Sequence, residues 1–220
     1  MRPSQSLTLP ATQAEKRLSH LRALVDALPV PPDATQDRIV AFAVIEALNT
    51  WTTFARSFYL SCVFRATRSS GAKVSLGASA HIKSKADAID FAVRTVKPGY
   101  AKSRKPPWDW RDEPTWYDPR VVLKLAPALA LSNTPEIFAA FGIPSVVFDE
   151  LPKFRNFFAH RSEDTANKVR KLISDQYKGH GFSSRTTPAE FLCTRLRGRP
   201  QSILADYVDD LRNVIALMPQ

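Results

Sequence analysis

Apolar residues return at three- and four-residue steps along most of this chain, the period of one helix face rather than the two-residue alternation of a strand. Leu18, Leu21, Leu24, Val25 and Leu28 predict a helix over residues 14–28, stopped by Pro29, Pro31 and Pro32, with residues 1–12 frayed ahead of it. A longer helix is expected over 35–67, with Thr35 or Asp33 as its cap. Its wide apolar face, Val40, Val44, Leu48, Trp51, Phe54, Phe58 and Cys62, makes it central to a bundle. Further helices are expected at 84–96 behind a Ser84 cap, at 119–131, at 136–141, at 146–177, in a short piece opened by Thr187, Pro188 and Glu190, and at 202–218. Residues 68–83 and 97–118 read as loops. The pattern holds no strand alternation, internal repeat or glycine-rich phosphate loop. It predicts an all-α fold, one helical domain over 1–220 with an inserted helical and loop segment at 68–145.

Inside the 146–177 helix lies the string Phe154-Arg155-Asn156-Phe157-Phe158-Ala159-His160-Arg161. Arginine is a flat fork of donors, asparagine a planar amide, and histidine the side chain whose proton exchanges near neutral pH. Asn156 and His160 are four residues apart and share one helix face. Arg155 stands five residues before His160, roughly 140° around and about 7.5 Å along the axis. One helix therefore does not aim both at a single small ligand, and a compact site needs the reach of Arg155 or a second copy of the helix. Pro152 either starts the helix at Leu151 or bends it just before the string. In the first case Arg155 lies in a first turn, whose free N–H groups favour a phosphate.

Arg155, Asn156, Ala159 and His160 resemble the R-x(4–6)-H motif of HEPN domains (higher eukaryotes and prokaryotes nucleotide-binding), over about residues 151–170. The resemblance implies a HEPN-like helical bundle that forms a homodimer with the two motifs facing one another. It implies a metal-independent endoribonuclease without a cofactor, acting as a toxin or phage-defence effector in the cytoplasm, with an antitoxin or sensor protein as a further partner. Carried onto this chain, His160 is the general acid/base, Arg155 stabilises the transition state and Asn156 orients. The chemistry suits those residues: a base takes the 2′-OH proton, the oxygen attacks phosphorus, an acid protonates the leaving 5′-oxygen, and a 2′,3′-cyclic phosphate results. Two alternatives stand beside it: a non-catalytic HEPN-like module that binds RNA or protein, and a helical interaction protein whose motif match is accidental.

Charge narrows the partner. The chain carries a formal net charge of +10, which favours a polyanion such as RNA. Lys102, Arg104 and Lys105 precede Trp108 and Trp110, and bases stack on exposed aromatics. That segment reads either as a single-strand RNA contact or as a loop pinned by its tryptophans. Arg195, Arg197 and Arg199 form a second basic cluster. On the 35–67 helix Glu46, Asn49, Thr53 and Arg56 make one polar stripe, either a solvated face or a set that lies against Asn156 and His160 and orients them.

Other classes lose support. Apolar runs are too short for a membrane span, and the N-terminal residues lack a signal-peptide core. Cys62 and Cys193 have no CxxC partner and no histidine at ligand spacing, so neither a zinc site nor a disulfide framework is expected, and a reducing cytosol is.

Overall fold

The computed structural model describes residues 5–30, 32–33, 36–77, 82–183 and 185–220 of the chain. Among them are ten helices and, in place of any strand, three isolated bridges. The fold is all-α. In chain order the helices are α1 (Thr8–Asp26), α2 (Gln36–Val63), α3 (Lys85–Val96), α4 (Pro98–Ser103), α5 (Pro119–Ala128), α6 (Thr134–Phe141), α7 (Val147–His160), α8 (Glu163–Gln176), α9 (Pro188–Cys193) and α10 (Ile203–Leu217). No described helix is long and apolar enough to cross a membrane. The chain divides into two compact units, one of residues 1–15, 52–144 and 213–220, the other of 16–51 and 145–212.

In the first unit α3 packs on α4 and α5, and α5 on α6. Ser84 and Asp87 form a reciprocal capping box that opens α3. Tyr59 stacks 5.2 Å from Trp116 and donates its hydroxyl to the Ala88 carbonyl, so one buried phenol ties α2 to α3. The N-terminal stretch is ordered earlier than its composition suggests. Leu7 is fully buried, its N–H donates to the Thr67 carbonyl, and α1 begins at Thr8 instead of near Ala14.

In the second unit α7 packs on α8, and α8 on α9. Leu151, Phe154 and Phe158 put one stripe of α7 into the core. Phe154 is completely buried and stacks 5.5 Å from Phe191, with Tyr207 on another side at 6.4 Å. Trp51 of α2 meets Phe148 at 4.9 Å. One turn before Phe154, the buried carboxylate of Glu150 accepts from the hydroxyls of Tyr177, at 2.8 Å, and Tyr207. Two phenol donors satisfy a charge that would be costly to bury alone.

The expected 146–177 helix is two helices. Arg161 adopts a left-handed conformation, φ 47° and ψ 33°, and its N–H closes α7 on the Phe157 carbonyl. Ser162 then caps α8 by accepting from the Thr165 N–H, with Glu163 and Asp164 in the first turn, where the helix dipole favours carboxylates. Pro152 neither starts α7 nor ends it. Arg155 consequently sits in the later half of α7, and the expected N-terminal phosphate site beside it does not exist. Asp33 caps α2 by accepting from the Gln36 N–H; Thr35, the other cap considered, lies outside the described residues. Within residues 97–118, read as a loop, Pro98 opens the short helix α4.

Phe154→Ala is expected to cost about 3–5 kcal/mol in urea unfolding, because its pocket is closed by aromatic rings that cannot all collapse inward. Asn156→Ala, one exposed position further round, should stay within about 0.5 kcal/mol of wild type. A second expectation concerns alkali. Burial pushes the Cys62 thiol up from 9.0 to about 12 and also raises the Tyr59, Tyr177 and Tyr207 phenols. The folded state keeps these protons where the unfolded chain has released them. Stability should therefore be full below about pH 9 and fall steadily as pH rises toward 12, read by unfolding midpoints across that range.

Candidate functional site

The motif occupies the exposed, C-terminal end of α7. Its register follows from the buried stripe: with Phe154 and Phe158 inward, Asn156, Ala159 and His160 are exposed and Arg155 is half-buried. His160 is the last residue of the helix. Arg155 Nη1 reaches Asn156 Oδ1 at 3.4 Å, a long contact between neighbours. No described carboxylate pairs with Arg155 or His160. A guanidinium, an amide and an imidazole thus stand on one helix end with donor capacity unspent, which suits an oxyanion.

The stripe on α2 divides. Asn49 Nδ2 donates to Glu46 Oε1 at 3.4 Å, within its own helix, and neither residue hydrogen bonds to Asn156 or His160. Arg56 belongs elsewhere. Its Nε and Nη2 take both oxygens of Glu113 at 2.5 Å, and that hydrogen bonding raises the guanidinium pKa against the cost of burial. Trp116 Nε1 donates to the same carboxylate at 2.9 Å. Arg56, expected among the orienting residues, has a structural partner in its own unit, because a half-buried guanidinium takes the carboxylate that folding brings to it.

Residues 97–118 are anchored rather than splayed. Asp112, buried, accepts from Tyr100, from Arg104 Nη1 at 2.7 Å and from the Asp109 N–H at 3.0 Å; the Tyr100 bond leads in holding its carboxyl below the usual range. Lys97 Nζ donates to the Asp112 and Glu113 carbonyls. Trp116 is buried, and Trp108 is half-buried with Nε1 on Asp90 at 2.8 Å. Burial pushes the Asp90 carboxyl up, but the bonds from Arg94 and Trp108 outweigh it and hold it low. Trp110 alone keeps an open ring, 77% exposed, with Arg111 5.3 Å over its face. Of the expected RNA contacts here, Arg104 is held by Asp112, while Lys102, Lys105 and Trp110 face solvent.

Arg199 pairs with Asp206 at 2.8 Å, which leaves Arg195 and Arg197 as the members of the second basic cluster without a carboxylate partner among the described residues. Arg195 also lines a cavity of about 160 Å³ shared with Arg22, Asp26, Cys193 and Gln201. Arg22 there is already bound to Asp26 and Asp209, and burial pushes the Cys193 thiol up to about 11, so the thiol is a poor nucleophile. No group of three or more His, Cys, Asp or Glu that could hold a metal occurs among the described residues.

A double-mutant cycle separates the two assignments of Arg56. Arg56→Ala and Glu113→Ala should couple by about 0.5–3 kcal/mol in unfolding free energy, the range of directly paired residues. Arg56→Ala and His160→Ala should add without coupling.

The chain matches no family model, and no curated protein or solved structure shows significant similarity to it.

Proposed function

We propose that the chain is a HEPN-type, metal-independent endoribonuclease that cleaves RNA by attack of its own 2′-OH and leaves a 2′,3′-cyclic phosphate. The observation that carries the reading is the exposed set Arg155, Asn156 and His160 at the end of α7, uncommitted to any described carboxylate. Such groups are stabilised by the folded chain yet free to meet a phosphate.

Each group has a task. His160 takes or gives the proton. The Arg155 fork meets the equatorial oxygens of the phosphorane, and the Asn156 amide steadies the imidazole or a phosphate oxygen. In-line displacement puts the attacking and leaving oxygens on opposite sides of phosphorus. One imidazole cannot serve both in a single turnover, so two copies of the chain would supply base and acid from two His160 side chains. The active species is accordingly a homodimer with the α7 ends facing. Such an activity in the cytoplasm needs restraint, and a toxin or phage-defence role with an antitoxin or sensor partner follows from it.

The same exposed set would bind RNA without cutting it if the second histidine never arrives, which is the binding-module alternative. Incubation with a mixed pool of single-stranded RNA and tRNA in EDTA decides. Wild type should cleave, Arg155→Ala should lose about 100- to 1,000-fold, the worth of one transition-state donor, and His160→Ala should be silent. RNA retention without cleavage in all three would replace the enzyme by the binding module.

A further inference from the structure

Most of the excess positive charge does not belong to the unit that holds the motif. Residues 16–51 and 145–212, which contain Arg155 and His160, carry 16 Lys and Arg against 13 Asp and Glu, a net of +3. Residues 1–15, 52–144 and 213–220 carry 15 against eight, a net of +7. A polyanion is thus attracted more strongly, residue for residue, by the unit that does not hold the motif.

That unit contains an open cavity of about 260 Å³. Trp108, Pro106, Pro107 and Ile89 give it an apolar lining, Lys85 brings a cationic group to it, and the Arg56–Glu113 pair forms a polar wall. The indole is fixed in place, since Nε1 is held by Asp90 and the ring lies 6.0 Å from that of Tyr100. A fixed, half-exposed indole offers a stacking surface with little ordering left to do on binding. Arg56 is fixed likewise: two of its five N–H groups are on Glu113, and three lie outside that pair. Lys85 is exposed and unpaired among the described ion pairs. The capping box occupies the Ser84 and Asp87 amides at the start of α3, and the cationic group offered to an anion there is the Lys85 ammonium.

Size and chemistry together select the ligand. Sites that enclose drug-sized molecules run to roughly 300–1,000 Å³, and this one is slightly smaller, the scale of a single ring system. A flat ring for Trp108, acceptors for Arg56 and an anion for Lys85 describe one chemistry. We propose that this cavity binds a nucleobase carrying a phosphate, with the ring against Trp108 and the phosphate at Lys85. A free nucleotide and an unpaired residue of an RNA strand both present it. The proposal goes beyond the cleavage reading and does not involve His160.

Calorimetric titration of the full chain tests it with two probes, 5′-GMP and a single-stranded octamer of 2′-O-methyl RNA, which cannot be cut by 2′-OH attack. Wild type should bind at least one of them. Affinities within tenfold of each other identify a free nucleotide as the ligand; a tighter, salt-dependent octamer identifies an RNA strand. In either arm Trp108→Ala should weaken binding about 5- to 150-fold, the stacking worth of one base. Lys85→Glu, an exposed change that leaves folding intact, should weaken it at least tenfold, and Trp110→Ala should leave 5′-GMP within twofold. No binding of either probe by wild type at millimolar concentration overturns the proposal, as does undiminished affinity in Lys85→Glu or in a folded Trp108→Ala. Because neither probe reports cleavage, loss of ribonuclease activity and loss of this site are separate results.

Discussion

Phe154 holds the candidate site in register. Its ring is closed in by Phe191 and Tyr207, and the Glu150 carboxylate one turn earlier is fastened by two phenols. Those contacts allow α7 one rotation about its axis. With Leu151, Phe154 and Phe158 inward, the helical period leaves Asn156 and His160 outward on a shared face, with Arg155 beside them. The polar chemistry is a consequence of the apolar packing: a slip of one residue turns the helix by about 100°, enough to bring Arg155 and Ala159 inward and turn Phe154 outward.

Charge is used in two ways in this chain. Part of it is spent internally, where folding brings a carboxylate to a guanidinium: Arg56 with Glu113, Arg104 with Asp112, Arg68 with Glu136, Arg199 with Asp206. Two of these pairs, Arg56 with Glu113 and Arg104 with Asp112, fix residues 97–118, whose only helix is the short α4. What is left over, including Arg155, Lys85, Lys102, Arg195 and Arg197, is what a polyanion can meet. Counting basic residues overstates that surface; subtracting the internal pairs describes it.

The helical period and the caps made most of the fold legible in the sequence. Ser84 and Thr187 open their helices with the reciprocal bonds their spacing implies, and the all-α architecture follows from the absence of any alternation. The break between α7 and α8 was obscured because Phe158, Val169 and Leu172 keep a helical beat across it. Ser162 followed by Glu163 and Asp164 carried the signal of a new start, and a non-glycine residue at the left-handed Arg161 concealed it. The start of α1 was missed because Leu7 is buried by backbone pairing with Thr67, sixty residues away in the chain and invisible to any local pattern. The same distance hid the partner of Arg56: a polar stripe on one helix shows that its residues share a face, not what that face meets.

The reaction proposed for the exposed end of α7 is transesterification on RNA. The most direct measurement is mass spectrometry of the new 3′ ends that wild type produces from a single-stranded RNA in EDTA. The expected products carry 2′,3′-cyclic phosphate ends, absent when the substrate has 2′-deoxy sugars throughout. Ends bearing 3′-hydroxyl and 5′-phosphate, or equal cutting of the deoxy strand, would contradict it.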